Sequence, residues 1–242
     1  MSIWKNGLVV WSLAALLSGC ATPLPKQQAY DRVGHAQIKT IHVLPAPPVK
    51  LRVFMMNNLA GSFGLIGALL AAGNESDDVH HLLDAYQATP LHPRRFFQAE
   101  LTKALSARGY RVVWPALDEG KGIQRGNSGL RADYSPVEDA DAILDVDLNF
   151  FGYAAGGPGR DSPYRPTTTA VARLVSADGK QTYFTDYFAY NNIFNSSIAV
   201  TIEPDPRYAY PKFVDLEHAG IQSQEGLKLA LSSLAQKLAS EL

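Results

Sequence analysis

Cysteine is nearly absent from this 242-residue chain: Cys20 is the only one. No disulfide can form within it, so the fold must hold by its core alone. Charge is also sparse and balanced, with 22 Lys and Arg against 23 Asp and Glu. No basic cluster could neutralise a row of phosphates, the nearest approach being the pair Arg94-Arg95, which excludes nucleic acid as an expected partner. The compact catalytic signatures are missing too. There is no Gly-x-Ser-x-Gly elbow, no His-Glu-x-x-His zinc motif and no Walker loop. The expectation is therefore a protein that is not an enzyme and uses no cofactor and no metal.

What is present starts at the N-terminus. Lys5 precedes an uncharged apolar stretch from Gly7 to Leu17, followed by Leu17-Ser18-Gly19-Cys20. A basic start, a short apolar run and small residues before a cut describe a secretory signal peptide. The uncharged run from Asn6 to Gly19 is shorter than the ~20 residues needed to span a bilayer, and Pro23 and Pro25 stop a helix from extending it. Leu-Ser-Gly-Cys resembles the lipobox of bacterial lipoproteins. The resemblance implies cleavage between Gly19 and Cys20, a diacylglycerol on the Cys20 thiol and a fatty acyl group such as palmitate on the new amine. Two or more acyl chains anchor stably where one would be marginal. Ala21, where Asp would signal retention in the inner membrane, implies the outer membrane of a Gram-negative cell. Membrane lipid held through Cys20 is thus the first expected partner.

The chain then divides into a signal peptide (1–19), a polar, proline-bearing tether (20–37) and one periplasmic domain (38–242). Leu59 to Gly73 carries no charge and repeats glycine at 61, 64 and 67. As a helix it would span only about 22 Å, short of a bilayer. Either Gly61, Phe63, Gly64, Leu65, Ile66, Gly67, Leu69 and Leu70 meet a membrane or partner, small residues allowing close approach, or they join their own core.

Further along, Asp77, His81 and Asp84 would share one helix face, but a solvated face explains them better than a metal site. Pro93 opens the best-signalled helix, Phe97, Leu101, Ala104 and Leu105 form its buried face, Arg108 suits its last turn and Gly109 its stop. Residues 118–136 are polar and read as a surface loop. From Ala142 to Phe150 the chain alternates, with Leu144, Val146, Leu148 and Phe150 on one side and Asp145, Asp147 and Asn149 on a wet face. Paired carboxylates can do acid–base work, yet a solvated face would leave neither acid with a raised pKa. The glycine- and proline-rich stretch from Gly152 to Pro166 lacks a phosphate-loop ending and reads as a connection.

Asp178-Gly179 marks a two-residue hairpin turn joining Thr167–Ala177 to Lys180–Tyr190. That turn would set Ala172 opposite Thr185 and Leu174 opposite Tyr183, with Arg173 diagonal to Asp186. Both hairpin faces carry apolar groups, so each should be covered. Tyr208, Tyr210 and Phe213 fall in an irregular stretch and are expected to tuck into the domain. Leu227, Leu231, Leu234 and Leu238 stripe a closing helix from Gln224 to Leu242, too short for a coiled coil and suited to lie on the sheet.

These elements predict an α+β domain with a mostly antiparallel sheet and two main helices packed on one face. Its order resembles small periplasmic α+β lipoproteins, most of them uncharacterised, and more distantly the domain of the curli-secretion lipoprotein. Arg108-Gly109-Tyr110-Arg111-Val112-Val113 after a helix and Ala140-Asp141-Ala142-Ile143-Leu144 opening a strand carry that likeness. The expected role is structural, assembly or docking in the cell envelope, with other envelope proteins or further copies as partners. The alternative is a carrier for a small apolar or lipid ligand, with a pocket lined by residues such as Phe184, Tyr187 and Phe188.

Overall fold

The strongest alternating runs of the sequence become the longest strands of the structure, a computed structural model that describes residues 25–55, 77–86, 90–115, 124–126, 128–157, 161–193, 197 and 199–242. Strands β4 (Ala142–Ala155), β5 (Arg165–Ser176) and β6 (Thr182–Tyr190) form an antiparallel meander. Shorter strands extend it in parallel. β1 (Thr40–Val43) lies between β4 and β3 (Arg111–Val113), β2 (Arg52–Met55) pairs with the second half of β4, and β7 (Ala199–Ile202) lines β6. The order across the sheet is β3-β1-β4-β5-β6-β7. The sheet is therefore mixed rather than mostly antiparallel. Hairpin turns build only the meander, while each flanking strand returns by a longer crossover that leaves it parallel to its neighbour.

Four helices complete the described residues: α1 (Asp77–Ala85), α2 (Pro93–Ala107), α3 (Phe213–Ala219) and α4 (Ile221–Glu241). The two long ones cover one sheet face, as the sequence predicts. Leu227, Leu231, Leu234 and Leu238 of α4 are fully buried, and Phe97, Leu101 and Leu105 of α2 join them over Leu144, Val146, Leu174, Phe184 and Phe188. Burying a side chain of this size contributes about 1.5–3 kcal/mol, so this layer is the principal source of stability. Gly109 closes α2 with φ 93°, and Arg108 donates to the Ser240 carbonyl near the end of α4 at 3.2 Å rather than standing in the last turn of its own helix.

Two registers differ from expectation. The β5–β6 loop is longer than two residues: Gly179, at φ 74°, donates to the Ser176 carbonyl, and Ser176 in turn donates to Gln181. Leu174 consequently faces Phe184, Ala172 faces Asp186 and Arg173 faces Thr185. In β4 the pairing slips between Leu148 and Phe150. This bulge turns Phe150 away from the helices, to meet Ala154, Phe54 and Ile193, and brings Phe151 and Tyr153 onto the helix side.

The segment read as a tether lies on the domain from Pro25 onward. Gln28 exchanges backbone hydrogen bonds with Thr185 at the β6 edge. The Gln27 amide donates to Asp186 at 2.6 Å, and the Tyr187 hydroxyl donates to the Pro25 carbonyl at 3.0 Å. Farther on, Arg32 donates to the Leu242 carbonyl. The late aromatics tuck in as expected: Tyr210 meets Tyr153 edge-on with ring centres 5.7 Å apart, and Phe213 meets Tyr164 at 6.2 Å.

Gly152 pairs with Arg52 where β2 runs alongside β4, and a Cβ there would collide with the Arg52 carbonyl oxygen. Gly156 has open space in the same position. Gly152→Val should therefore cost about 2 kcal/mol or more by overpacking, while Gly156→Val leaves stability nearly unchanged. Urea unfolding of the two variants checks this, and equal midpoints would contradict the packing described.

Candidate functional site

Asp145 and Asp147, read as a wet face, are buried, with 0% and 6% of their surface exposed. Residues 124–126 and 128–134, within the 118–136 stretch read as a surface loop, fold back as a strap over that face of the sheet. Leu130 at its centre is buried against Val171 and Tyr187. The alternation of β4 was legible, but the cover comes from a segment whose polar composition hides its role.

The strap is latched by the acids beneath it. Asp145 Oδ2 accepts from the Arg131 amide at 2.7 Å and from the Tyr134 hydroxyl at 3.2 Å. Asn149 donates to Asp147 Oδ2 at 3.0 Å and to the Ser128 carbonyl at 3.2 Å. Arg125 donates to the carbonyls of Gly129 and Pro45, and its Nη1 stands 3.8 Å from Asp145 Oδ1 and 3.9 Å from Asp147 Oδ1. Among the described residues neither Oδ1 has a hydrogen-bond donor. Burial and the neighbouring Asp145 push the Asp147 carboxyl up, Arg125 only partly opposing them, to about 6. Burial, and then the Asp145 charge, raises the Tyr134 phenol, and burial with Arg131 lowers His42. Carboxylates that act on a substrate have to reach it, and here the strap stands in the way. The pair instead fixes the strap to the sheet.

The opposite side of the molecule carries an apolar groove of about 450 Å³. Val49 and Leu51 come from the β1–β2 connection, Leu83 and Tyr86 from α1 and just beyond it, Phe151 from β4 and Leu227 from α4. That volume falls within the ~300–1,000 Å³ of small-ligand sites. Tyr86 does not offer a free polar group to it, because its hydroxyl is 2.6 Å from Ser223 Oγ. Leu83 is 46% exposed into this space, whereas Leu82 on the same helix is fully buried. At the N-terminal end of α2 the groove meets a wider cleft of about 740 Å³, lined by His92, Arg94, Arg95 and Gln98 and sharing Val49 and Pro93 with it.

The remaining sequence candidates are not brought together. Gly19, Cys20 and the segment with Gly61, Phe63, Gly64, Leu65, Ile66, Gly67, Leu69 and Leu70 lie outside the described residues. His81 pairs with Glu217 of α3 at 3.2 Å rather than with Asp84. Among the described residues no three metal-ligating side chains converge. Phe184 and Phe188 share the helix-side core, while Tyr187 points to the strap side, so these three line no common pocket. The groove was not legible in the sequence: its walls come from five separate stretches, and Phe151 reaches it only through the β4 bulge.

No known sequence family matches this chain, and no curated protein matches it either. Several solved structures are similar to it at low identity. The PelC dodecamer of Paraburkholderia phytofirmans is 11% identical over 89% of this chain and 93% of that one, with a TM-score of 0.37. Lipoprotein GNA1162 of Neisseria meningitidis is 16% identical over 63% of this chain and 81% of its own, at 0.29. A DUF330 protein of Xanthomonas campestris is 11% identical over 90% and 87%, at 0.38. Likenesses this weak carry no argument about function.

Because the folded Asp147 holds its proton more tightly than the unfolded chain does, the protonated form favours folding. That contribution is complete below the usual carboxylate value of 3.8 and is lost as pH rises through about 6. Between pH 7 and pH 5 the protein should gain roughly 1 kcal/mol from this group. Asp147→Asn, neutral throughout, should lack that gain and be the more stable chain at pH 7. Urea midpoints at both pH values read it out; parallel curves for the two proteins would refute the assignment.

Proposed function

We propose that the protein is a lipoprotein of the outer membrane whose domain faces the periplasm and works by binding rather than by catalysis, as a structural, assembly or docking component of the cell envelope. The observation that carries this reading is the lipobox ending at Cys20, taken with the docking of Pro25 and Gln28 on the β6 edge. Only four residues lie between Cys20 and Pro25, a reach of at most about 18 Å. A domain held this closely keeps one side toward the bilayer, which suits a component that meets partners at a membrane surface. No described helix is long and apolar enough to cross a membrane, so attachment in this reading rests on the acyl groups.

A second reading, a carrier for a small apolar or lipid ligand, is favoured by the groove between α1, β4 and α4. The two separate on the mass of the detergent-extracted protein: a ring or envelope complex speaks for docking, a monomer with co-purifying lipid for the carrier.

Anchoring is tested directly. Cys20→Ser should abolish incorporation of radiolabelled palmitate and block cleavage after Gly19. Ala21→Asp should shift the protein from outer- to inner-membrane fractions on a density gradient. Labelling that persists in Cys20→Ser would overturn the reading.

A further inference from the structure

The geometry points to a single-chain anionic amphiphile of the fatty-acid class as the ligand of the groove, its chain in the apolar part and its carboxylate on Arg94 and Arg95. The inference deepens the carrier reading and rests on it. Volume limits the apolar part to one chain. At about 30 Å³ for each water-sized group, a space of about 450 Å³ holds about fifteen such groups. Its lining (Val49, Leu51, Leu83, Phe151 and Leu227) offers a chain nothing but dispersion and release of water. Among the described residues the one hydroxyl in the wall, on Tyr86, is already paired with Ser223.

Charge fixes the other end. Among the described residues, the cleft continuous with the groove presents His92, Arg94 and Arg95 and no acidic residue. Arg94 is half-buried and Arg95 exposed. Among the described residues neither arginine has an ion pair or hydrogen bond, whereas Arg32, Arg108, Arg111, Arg125 and Arg207 each bond a named partner. Two unpaired guanidinium groups lining one cleft at the mouth of an apolar slot complement a carboxylate, which each can grip through paired N–H donors. A neutral ligand would leave them without use, and an inorganic anion would leave the slot empty.

The test uses the acylated full-length protein in phosphatidylcholine vesicles. A twelve-carbon fatty acid bearing a diazirine near its methyl end is photolysed on it, beside the corresponding alcohol. Crosslinks mapped by mass spectrometry should fall on groove residues such as Leu83, Tyr86 and Phe151 for the acid. The double variant Arg94→Gln/Arg95→Gln should reduce that labelling about tenfold and leave the weaker alcohol labelling unchanged. Leu83→Asp, at an exposed helix position, should reduce both. Excess laurate should displace the acid probe. Displacement by inorganic phosphate alone would show a free-anion site and overturn the proposal. Displacement by anionic phospholipid vesicles would show a headgroup surface and also overturn it, as would equal labelling by acid and alcohol or crosslinks outside the groove. Sedimentation of the same samples keeps the two levels apart: protein that leaves the vesicles contradicts the lipid anchor whatever the labelling shows.

Discussion

The closing helix is the element on which the rest of the molecule leans. Its leucine stripe, Leu227, Leu231, Leu234 and Leu238, fills the space above the meander and beside α2. Its polar atoms then tie in segments from along the chain. The Ser223 carbonyl accepts from Tyr153 of β4, the Ser223 hydroxyl meets Tyr86 after α1, and the Leu242 carbonyl accepts from both Arg32 and Tyr110. With no disulfide available, this one helix joins the early, middle and late parts of the chain through a single apolar layer.

The two faces of the sheet solve the problem of cover differently. The helix side is apolar and closed except where Leu83 and Leu227 leave the groove. The other side is closed by a polar strap, and that choice places two carboxylates and a guanidinium in the interior. An ion cluster of this kind adds little net stability, because removing the charges from water costs about as much as their attraction returns. Its effect is on register: Arg125, Asp145 and Asp147 together accept only one seating of the strap.

Where a local pattern decides structure, the sequence was enough. Pro93 and Gly109 bracket α2, the spacing of four leucines lays α4 on the sheet, and alternation from Ala142 to Leu148 defines the first half of β4. What escaped was decided by contacts distant along the chain. The wet face of β4 became interior because a strap with little apolar content folds over it. The β5–β6 register moved by one because the Ser176–Gln181 pairing, and not Asp178-Gly179 alone, closes the loop. The parallel flanks of the sheet follow from crossovers that no window of a few residues reveals. The groove assembles from five such distant pieces, so no motif announces it.

The bulge in β4 makes one strand serve as two. Before it, even-numbered residues face the helices; after it, odd-numbered ones do, so that Leu148 and Phe151 share a side. The strand thus carries a change of phase, and the contents of both compartments depend on it. Were the strand to pair without the bulge at the same length, Phe150 would replace Phe151 at the groove floor and every later residue would turn to the wrong side. Asn149 is the extra residue that prevents this, while it also bonds Asp147 and the Ser128 carbonyl under the strap. For this architecture, length at that point is a stricter inheritance than identity.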